Sequence, residues 1–179
     1  GLVSDGGVHS HTSHLRGLID ASQQYGLKKV YIHAFTDGRD VDPKSGKQYI
    51  QDLQNYIENT PVKIASIIGR YYAMDRDKRW ERVKLAYDLV VNGMGAKALD
   101  PVAAVNASYQ ADITDEFIAP VAIVDSSNEP IATIEKDDVV IFFNFRTDRG
   151  RELTEALSQQ DFHEQNMHKL DLYYVTLTN

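Results

Sequence analysis

Three segments of the chain join an apolar, strand-like run directly to a polar loop that carries arginine. They span residues 30–40, 64–77 and 139–149. Nearly continuous apolar runs are typical of strands that are buried on both faces of a parallel sheet. Because the carboxyl ends of such strands line the ligand crevice of an open α/β sheet, we expect the three loops to lie at a ligand site.

Helical and strand patterns alternate along the whole chain. Two short apolar runs, 119–124 and 130–134, flank turn-forming residues and predict a small β-hairpin. The alternation predicts an α/β fold: a mostly parallel sheet with helices on both faces, which is a three-layer sandwich, with the hairpin added to it. The other predicted elements are helices near residues 10–26, 49–57, 80–92, 101–109 and 148–157, and strands at 29–35, 62–68, 138–145 and 170–176.

The size and composition of the chain fit a single domain, residues 1–179, with a substantial core. Hydrophobic residues make up 42% of the 179 residues, as in an ordinary globular protein. The sequence has no apolar run near the ~20 residues that cross a bilayer, no signal-peptide pattern and no cysteine. We therefore expect a cytoplasmic protein without a membrane partner. The net charge of -7 argues against a nucleic-acid partner.

Both ends of the chain have strand-like patterns, at residues 2–4 and 170–178. Natural domains rarely begin and end inside such a pattern. We therefore expect a piece excised from a larger protein, and the alternative is a small protein that has been trimmed.

Arginine is concentrated in the three polar loops. Five of the nine arginines lie there, although the chain as a whole is acidic. Planar guanidinium groups suit phosphate and carboxylate groups, which they bind through paired hydrogen bonds. The sequence therefore predicts a site for a small molecule with several negative charges.

A fourth polar loop, residues 5–11, follows the first strand pattern and opens the first helix. Its glycines allow a close approach of the backbone to a ligand, although an ordinary tight turn would explain them as well. A metal held by His9, His11 and His14 is less favoured than hydrogen-bonded histidines, so we predict no metal site. His9 is plausible as a hydrogen-bonding or proton-transfer group because it lies at the corner between strand and helix.

The loop at residues 37–40 allows two interpretations. In one it is a plain turn, with Arg39 paired to Asp40 on the surface. In the other, Arg39 holds a carboxylate of the ligand while Asp40 accepts a proton from a hydroxyl group.

The two remaining loops are rich in charge. Residues 69–80 could be a solvated charge run, but Arg70 and Arg76 are better ligand candidates than the arginines on the following helix. Arg146 and Arg149 are three residues apart and could both reach one anion. The alternative for that loop is that Asp148 caps the next helix and Arg149 pairs with Glu152.

The chemistry of a self-sufficient enzyme is missing from the sequence. It contains no Gly-x-Ser-x-Gly elbow, no phosphate-binding Gly-x-x-x-x-Gly-Lys-Ser/Thr loop and no dinucleotide glycine fingerprint. No convincing set of carboxylates and histidines for two metals is present either. The chain can be expected to bind an anion and to shuttle a proton, but it shows no activated nucleophile.

Taken together, the four loops resemble one known family, the cofactor-independent (2,3-bisphosphoglycerate-independent) phosphoglycerate mutases. The resemblance covers essentially the whole chain, in the family's order, and it matches the inserted substrate-binding (phosphotransferase) domain. The matching segments are Ser4-Asp-Gly-Gly-Val-His-Ser-His11, His33-Ala-Phe-Thr-Asp-Gly-Arg-Asp40, Gly69-Arg-Tyr-Tyr-Ala-Met-Asp-Arg-Asp-Lys-Arg-Trp80 and Phe143-Asn-Phe-Arg-Thr-Asp-Arg149.

The resemblance implies an isomerase that interconverts 3-phosphoglycerate and 2-phosphoglycerate in glycolysis and gluconeogenesis. In this family a serine of an alkaline-phosphatase-like domain takes the phosphoryl group, and that domain also holds two manganese ions. No part of this chain resembles that domain, so the chain alone is expected to be inactive and to bind no cofactor. It is expected to hold glycerate in the cleft between the domains while glycerate reorients.

The resemblance also carries over a set of residues. It suggests Asp40 as the acid and base at the glycerate hydroxyl groups. Thr147 stands where the family usually has proline, which removes no binding group. The implied substrate-binding residues are His9, Arg39, Asp40, Arg70, Arg76, Arg146 and Arg149.

Two other functions stay open at this point. The chain could be a stand-alone anion-binding or regulatory module without catalytic activity. A dinucleotide-dependent oxidoreductase is disfavoured because the glycine fingerprint is missing.

Overall fold

The computed structural model describes residues 1–178. Its helices and strands alternate for most of the chain, as the sequence predicts. In chain order they are α1 (Thr12–Gln24), β1 (Val30–Thr36), α2 (Gly46–Ile57), β2 (Val62–Gly69), α3 (Arg70–Ala73), α4 (Trp80–Asn92), β3 (Ala96–Ala98), α5 (Pro101–Gln110), β4 (Val121–Ile123), β5 (Val139–Phe142), α6 (Arg151–Thr154) and β6 (Tyr173–Thr176).

A four-stranded sheet with the order β1-β2-β4-β3 forms the centre of the molecule. β1 pairs with β2 in parallel, and β3 pairs with β4 in parallel. β2 and β4 run antiparallel. A single parallel bridge from Leu2 to Phe35 extends the β1 edge, while β5 and β6 form a separate parallel pair. The predicted mostly parallel sheet is thus confirmed, with one antiparallel pairing inside it.

Neighbouring side chains of a strand point to opposite faces of the sheet, and helices cover both faces. On one face, Ala34 and Ile67 pack in a core that includes Ile50 of α2 and Val105 of α5. On the other face, Phe35 and Ile68 belong to a core with α4 and α6. Each fully buried isoleucine or leucine contributes roughly 1.5–3 kcal/mol of hydrophobic stabilisation. The predicted three-layer sandwich is confirmed.

Local signals mark the start of α5 and the end of α4. Asp100 precedes α5 and its carboxylate accepts a hydrogen bond from the Ala103 N–H at 2.7 Å, with Pro101 in the first turn, as expected for an N-cap followed by proline. Gly93 ends α4 in the left-handed region at φ 65°, where glycine carries no steric cost.

Several predicted elements are shorter in the structure. The strands predicted at 138–145 and 170–176 span Val139–Phe142 and Tyr173–Thr176. The first of them is not buried on both faces as expected, because Val139 and Ile141 are 68% and 42% exposed. The hairpin is reduced to one antiparallel bridge between Val124 and Pro130, because proline has no N–H with which to continue a ladder. The helix predicted from residue 148 begins at Arg151 and continues as a π-helical turn over Glu155–Gln159. Its start is displaced because Asp148 pairs with arginine side chains instead of capping the helix.

The fold brings the first two arginine loops together. β1 and β2 are neighbours in parallel, and their last residues, Thr36 and Gly69, are partners in the register. The segments that follow them therefore leave the sheet side by side at its carboxyl edge. Among residues 1–178, every helix is too short or too polar to cross a bilayer.

Candidate functional site

Arg70 lies at the centre of the site, immediately after β2. Its side chain is only 3% exposed, and Nη1 contacts Asp37 Oδ1 at 2.8 Å and Asp40 Oδ2 at 2.5 Å. Burial alone would lower the pKa of Arg70, but the hydrogen bonds to Asp40 and Asp37 outweigh it and raise that pKa. Arg70 is therefore a fixed buried cation that sets the position of two carboxylates.

Asp37 anchors the loop after β1. Its carboxylate accepts hydrogen bonds from the Ser4 hydroxyl at 2.6 Å and from the backbone N–H groups of Arg39 and Asp40 at 3.1 and 3.0 Å. Burial acts to raise the pKa of Asp37, and these donors together with Arg70 lower it below its usual value. Because Asp37 stays ionised and fixed, the neighbouring Asp40 carboxylate is held at the rim of the site.

His9 comes from the loop between the first extended segment and α1. Its backbone carbonyl accepts hydrogen bonds from the N–H groups of Phe145 and Arg146 at 2.8 and 3.3 Å, which ties this loop to the segment after β5. The ring is 3% exposed, with Nε2 3.7 Å from Asp40 Oδ2 and Nδ1 3.8 Å from Asp148 Oδ1. Among the described residues, the buried Nδ1 atom has no hydrogen-bond partner.

The protonation state of His9 follows from its surroundings. Burial, and next the positive charge of Arg70, lower its pKa below the ordinary value of 6.5. His9 is therefore neutral near pH 7, with one ring nitrogen that donates and one that accepts.

Arg76 and Arg146 meet at one carboxylate, that of Asp148. Arg76 Nη1 lies 3.0 Å from Asp148 Oδ2, and Arg146 Nε lies 2.9 Å from Asp148 Oδ1. Burial acts to raise the pKa of Asp148, while the two arginines lower it. Each arginine side chain is still 47% exposed, so both keep donors available to an anion.

Arg149 and Arg39 complete the positive charge of the site. Arg149 is half-buried and donates to the Met74 carbonyl at 3.1 Å. Its pKa is lowered by burial and then by the positive charges of Arg76, Arg70 and Arg39. Mutual repulsion between these cations would be relieved by an anion bound among them.

Arg39 itself is 58% exposed and pairs with Glu116 at 3.3 Å. The surface pair of Arg39 with Asp40, which one interpretation of this loop assumes, is not formed. The pair of Arg149 with Glu152 is not formed either, since Arg149 reaches Met74 instead.

The structure thus brings all seven predicted residues to one region. His9, Asp40 and Arg70 form a continuous line of contacts. Arg76 and Arg146 join that line through Asp148, while Arg149 and Arg39 stand at its edges. Several cations around a neutral histidine and a carboxylate can hold a polyanion and exchange a proton with a hydroxyl group.

Asp37 and Asp148 pair with the arginines of the site but are not among its sequence-predicted residues. Asp37 looks like an ordinary Asp-Gly turn residue, and Asp148 looks like a helix cap. The sequence does place each of these aspartates within two residues of an arginine of the site. This spacing is a signal for a site role, since a buried or crowded cation needs a fixed counter-charge.

The histidines near the start of the chain do not gather around a common point. His11 Nδ1 contacts the Ser13 hydroxyl at 2.8 Å and caps α1, and the His14 ring packs against Phe145. Within residues 1–178, the cluster with three potential metal ligands is Asp161, His163 and His168, which are all exposed. The arginine site shares no residue with that cluster.

Comparison with known proteins agrees with the motifs. The family model described as BPG-independent PGAM N-terminus matches residues 1–179. The 2,3-bisphosphoglycerate-independent phosphoglycerate mutases of Flavobacterium johnsoniae and Flavobacterium psychrophilum are 80% and 75% identical over 179 residues. These matches cover 100% of this chain and 35% of each relative, so the chain spans about a third of the length of these relatives.

A solved structure shows the same fold. The Leishmania mexicana phosphoglycerate mutase, determined at low cobalt concentration, superimposes with a TM-score of 0.93 at 31% sequence identity. The match covers 99% of this chain and 34% of that chain. The similarity of fold therefore extends through the complete set of loops that form the arginine site.

Proposed function

This chain belongs to the family described as BPG-independent PGAM N-terminus, and we propose that it is the substrate-binding domain of a phosphoglycerate mutase. In this proposal residues 1–179 form one domain of a larger two-domain isomerase. The enzyme interconverts 3-phosphoglycerate and 2-phosphoglycerate, a step of glycolysis and gluconeogenesis, in the cytoplasm. The similarity of the chain to about a third of each full-length mutase supports this division.

One observation carries the proposal: separate loops converge on a buried, neutral histidine beside a carboxylate. Arg70, Arg76 and Arg146 come from two of these loops, and the imidazole Nδ1 of His9 lacks a partner among residues 1–178. Phosphoglycerate has a phosphate, a carboxylate and a hydroxyl group on three adjacent carbons. Guanidinium groups match the first two, and the His9–Asp40 pair matches the hydroxyl.

The proposed reaction divides the chemistry between two domains. The phosphoryl group leaves oxygen 3 for a serine of a phosphatase-like domain, and glycerate stays bound to the arginines, reorients and receives the phosphoryl group on oxygen 2. Oxygen 3 gains a proton as its bond to phosphorus breaks, and the 2-hydroxyl loses one as its new bond forms. Asp40, which lies 2.5 Å from Arg70, is the proposed acid and base: its protonated form gives the proton to oxygen 3, and the carboxylate that results accepts the proton of the 2-hydroxyl group.

Holding the intermediate is the main contribution of this domain. Phosphoryl transfer depends largely on positioning and on stabilising negative charge. Arg39, Arg76, Arg146 and Arg149 are the proposed contacts for the charged groups. His9 is the proposed hydrogen-bonding partner of a glycerate oxygen.

The two manganese ions of such an enzyme are expected in the phosphatase-like domain. The arginine site does not suit a metal cation, because its carboxylates already contact arginine side chains and the surplus charge is positive. No step of the proposal depends on a metal bound by residues 1–179. The enzyme needs no added 2,3-bisphosphoglycerate.

The mutase assay of the intact protein tests this function. We expect conversion of 3-phosphoglycerate to 2-phosphoglycerate without added 2,3-bisphosphoglycerate, and no conversion by residues 1–179 alone, since the nucleophile lies outside them. Turnover by the isolated chain would contradict the division of labour. An intact protein that binds 3-phosphoglycerate but does not convert it would instead identify an anion-binding module.

A further inference from the structure

Two buried carboxyl groups lie directly behind the arginine loops. Asp75 Oδ2 accepts hydrogen bonds from the backbone N–H groups of Asp77 and Arg79 at 2.9 and 3.0 Å. Glu152 Oε1 accepts one from the N–H of Lys78, which lies between them, at 2.9 Å. The N–H groups of the consecutive residues 77, 78 and 79 thus bond in turn to Asp75, Glu152 and Asp75, so the two carboxyl groups lie next to each other. Both side chains are buried, at 3% and 7% exposure.

The backbone at Lys78 is strained in order to make this arrangement. Lys78 has a left-handed φ of 57°, a conformation that costs of order 1–3 kcal/mol for residues other than glycine. Its N–H bond to Glu152 crosses from the segment that carries Arg76 to the first turn of α6. Such a position persists only where the surrounding contacts hold it.

The two carboxylates of this pair face one arginine, so their negative charge exceeds the positive charge beside them unless one carboxyl group is protonated. Arg82 of α4 contacts Asp75 at 3.3 Å, whereas Glu152 Oε2 has no partner among the described residues. Glu155, in the π-helical turn that follows α6, adds further negative charge near Glu152. Two ionised carboxylates buried side by side repel each other, and one shared proton converts the repulsion into a hydrogen bond.

The protonation of the two groups is asymmetric. Burial, and the negative charge of Asp75, raise the pKa of Glu152 to about 7. Burial also acts on Asp75, but the N–H groups of Arg79 and Asp77 and the hydrogen bond from Glu152 lower its pKa. This asymmetry favours Glu152 as the group that carries the proton and Asp75 as the ionised acceptor.

We propose that this shared proton holds the Arg76 segment in position against the Arg146–Arg149 segment, and that loss of the proton weakens the binding of substrate. Asp75 directly precedes Arg76, and Glu152 follows Arg149 by three residues. The other polar links between these parts of the chain are the exposed pair of Arg76 with Asp148 and the bonds to Met74 from Arg149 and Asn144, and Met74 also packs in one core with Phe142 and Leu153. Glu152 and Asp75 are thus positioning residues, and this consequence rests on the proposed function.

In this proposal the enzyme binds substrate well when Glu152 is protonated, and this sets the direction of the pH effect. Below the pKa of Glu152 the segments are held together, and as the pH rises through about 7 the fastening is lost. We expect the KM for 3-phosphoglycerate to rise over that range. Replacing Glu152 with glutamine keeps an acceptor for Lys78 and supplies a permanent N–H donor for Asp75, so Glu152→Gln imitates the protonated state.

The test compares kcat/KM of the intact wild-type enzyme and of Glu152→Gln at each pH. The ratio of the two cancels the titration of the substrate and of the other domain. We expect the wild-type value relative to Glu152→Gln to fall about tenfold between pH 6 and pH 8, as for a group titrating near neutrality. Glu58→Gln removes one carboxylate charge at an exposed position at the end of α2, and as the control it should keep the wild-type profile. A constant ratio for Glu152→Gln would overturn the proposal.

A second measurement needs neither a variant nor mutase activity. Carbon-13 NMR of the wild-type 179-residue chain should show the Glu152 carboxyl carbon titrating near pH 7, well above the ordinary glutamate value of 4.5. Titration of that carbon below pH 5.5 would overturn the shared proton. If the NMR result holds and the intact enzyme shows no mutase turnover, the proposed function fails while the acid pair stands.

Discussion

Replacement of Arg70 by methionine should lower the free energy of unfolding by about 3–5 kcal/mol, because it leaves two carboxylates without their buried counter-charge. Arg70 is 3% exposed and contacts both Asp37 and Asp40. Methionine keeps much of the volume, so the loss reports the charge rather than a cavity. Urea unfolding of the 179-residue chain measures it.

Arg39→Met is the matched control for Arg70→Met. Arg39 is 58% exposed and its pair with Glu116 lies at the surface, so its removal should cost less than about 1 kcal/mol. Adding Asp37→Asn to Arg70→Met should recover part of the loss, because neighbouring charges couple in double-mutant cycles. Equal costs for Arg70→Met and Arg39→Met would contradict the central structural role of Arg70.

Arg146→Ala and Arg76→Ala should each remove at least ~2 kcal/mol of transition-state stabilisation from the intact enzyme, or about 30-fold in kcat/KM. Both side chains are about half exposed and share the Asp148 carboxylate, so a substrate anion can take up their remaining donors. Their partly exposed positions predict little change in stability. Steady-state kinetics with 3-phosphoglycerate measures the effect.

Arg151→Ala provides the control for these two variants. Arg151 is exposed at the start of α6 and lies near Arg149 in sequence, but it is not among the proposed contacts. It should keep wild-type kinetics. Wild-type kcat/KM in both Arg146→Ala and Arg76→Ala would refute their assignment to the substrate.

The layers of the fold could be predicted from the sequence because the signals are local. The apolar run at 62–68 and the cap at Asp100 act within one element, and the structure shows both. The second arm of the predicted hairpin failed because Pro130 has no N–H for a ladder, and the first arm found its partners in β2 and β3 instead.

The sequence indicated which residues form the site, but not which of their side chains pair with each other. Strand ends and the family resemblance indicated Arg70, Arg76 and Arg146, which the structure brings together. One interpretation of the sequence made Asp148 a helix cap, whereas in the structure it pairs with the nearby Arg146 and with Arg76 from a distant segment. Such choices depend on tertiary distances and charge balance, which a local pattern does not contain. The binding of substrate by these residues stays a prediction.

The proposed function requires that the arginine loops bind a phosphoglycerate. Calorimetric titration of the intact protein with 3-phosphoglycerate tests it most directly, with wild type compared to the double variant Arg76→Ala/Arg146→Ala. We predict measurable binding by wild type and at least a 30-fold weaker affinity for the double variant, corresponding to ~2 kcal/mol. Equal affinities of the two proteins would contradict the claim.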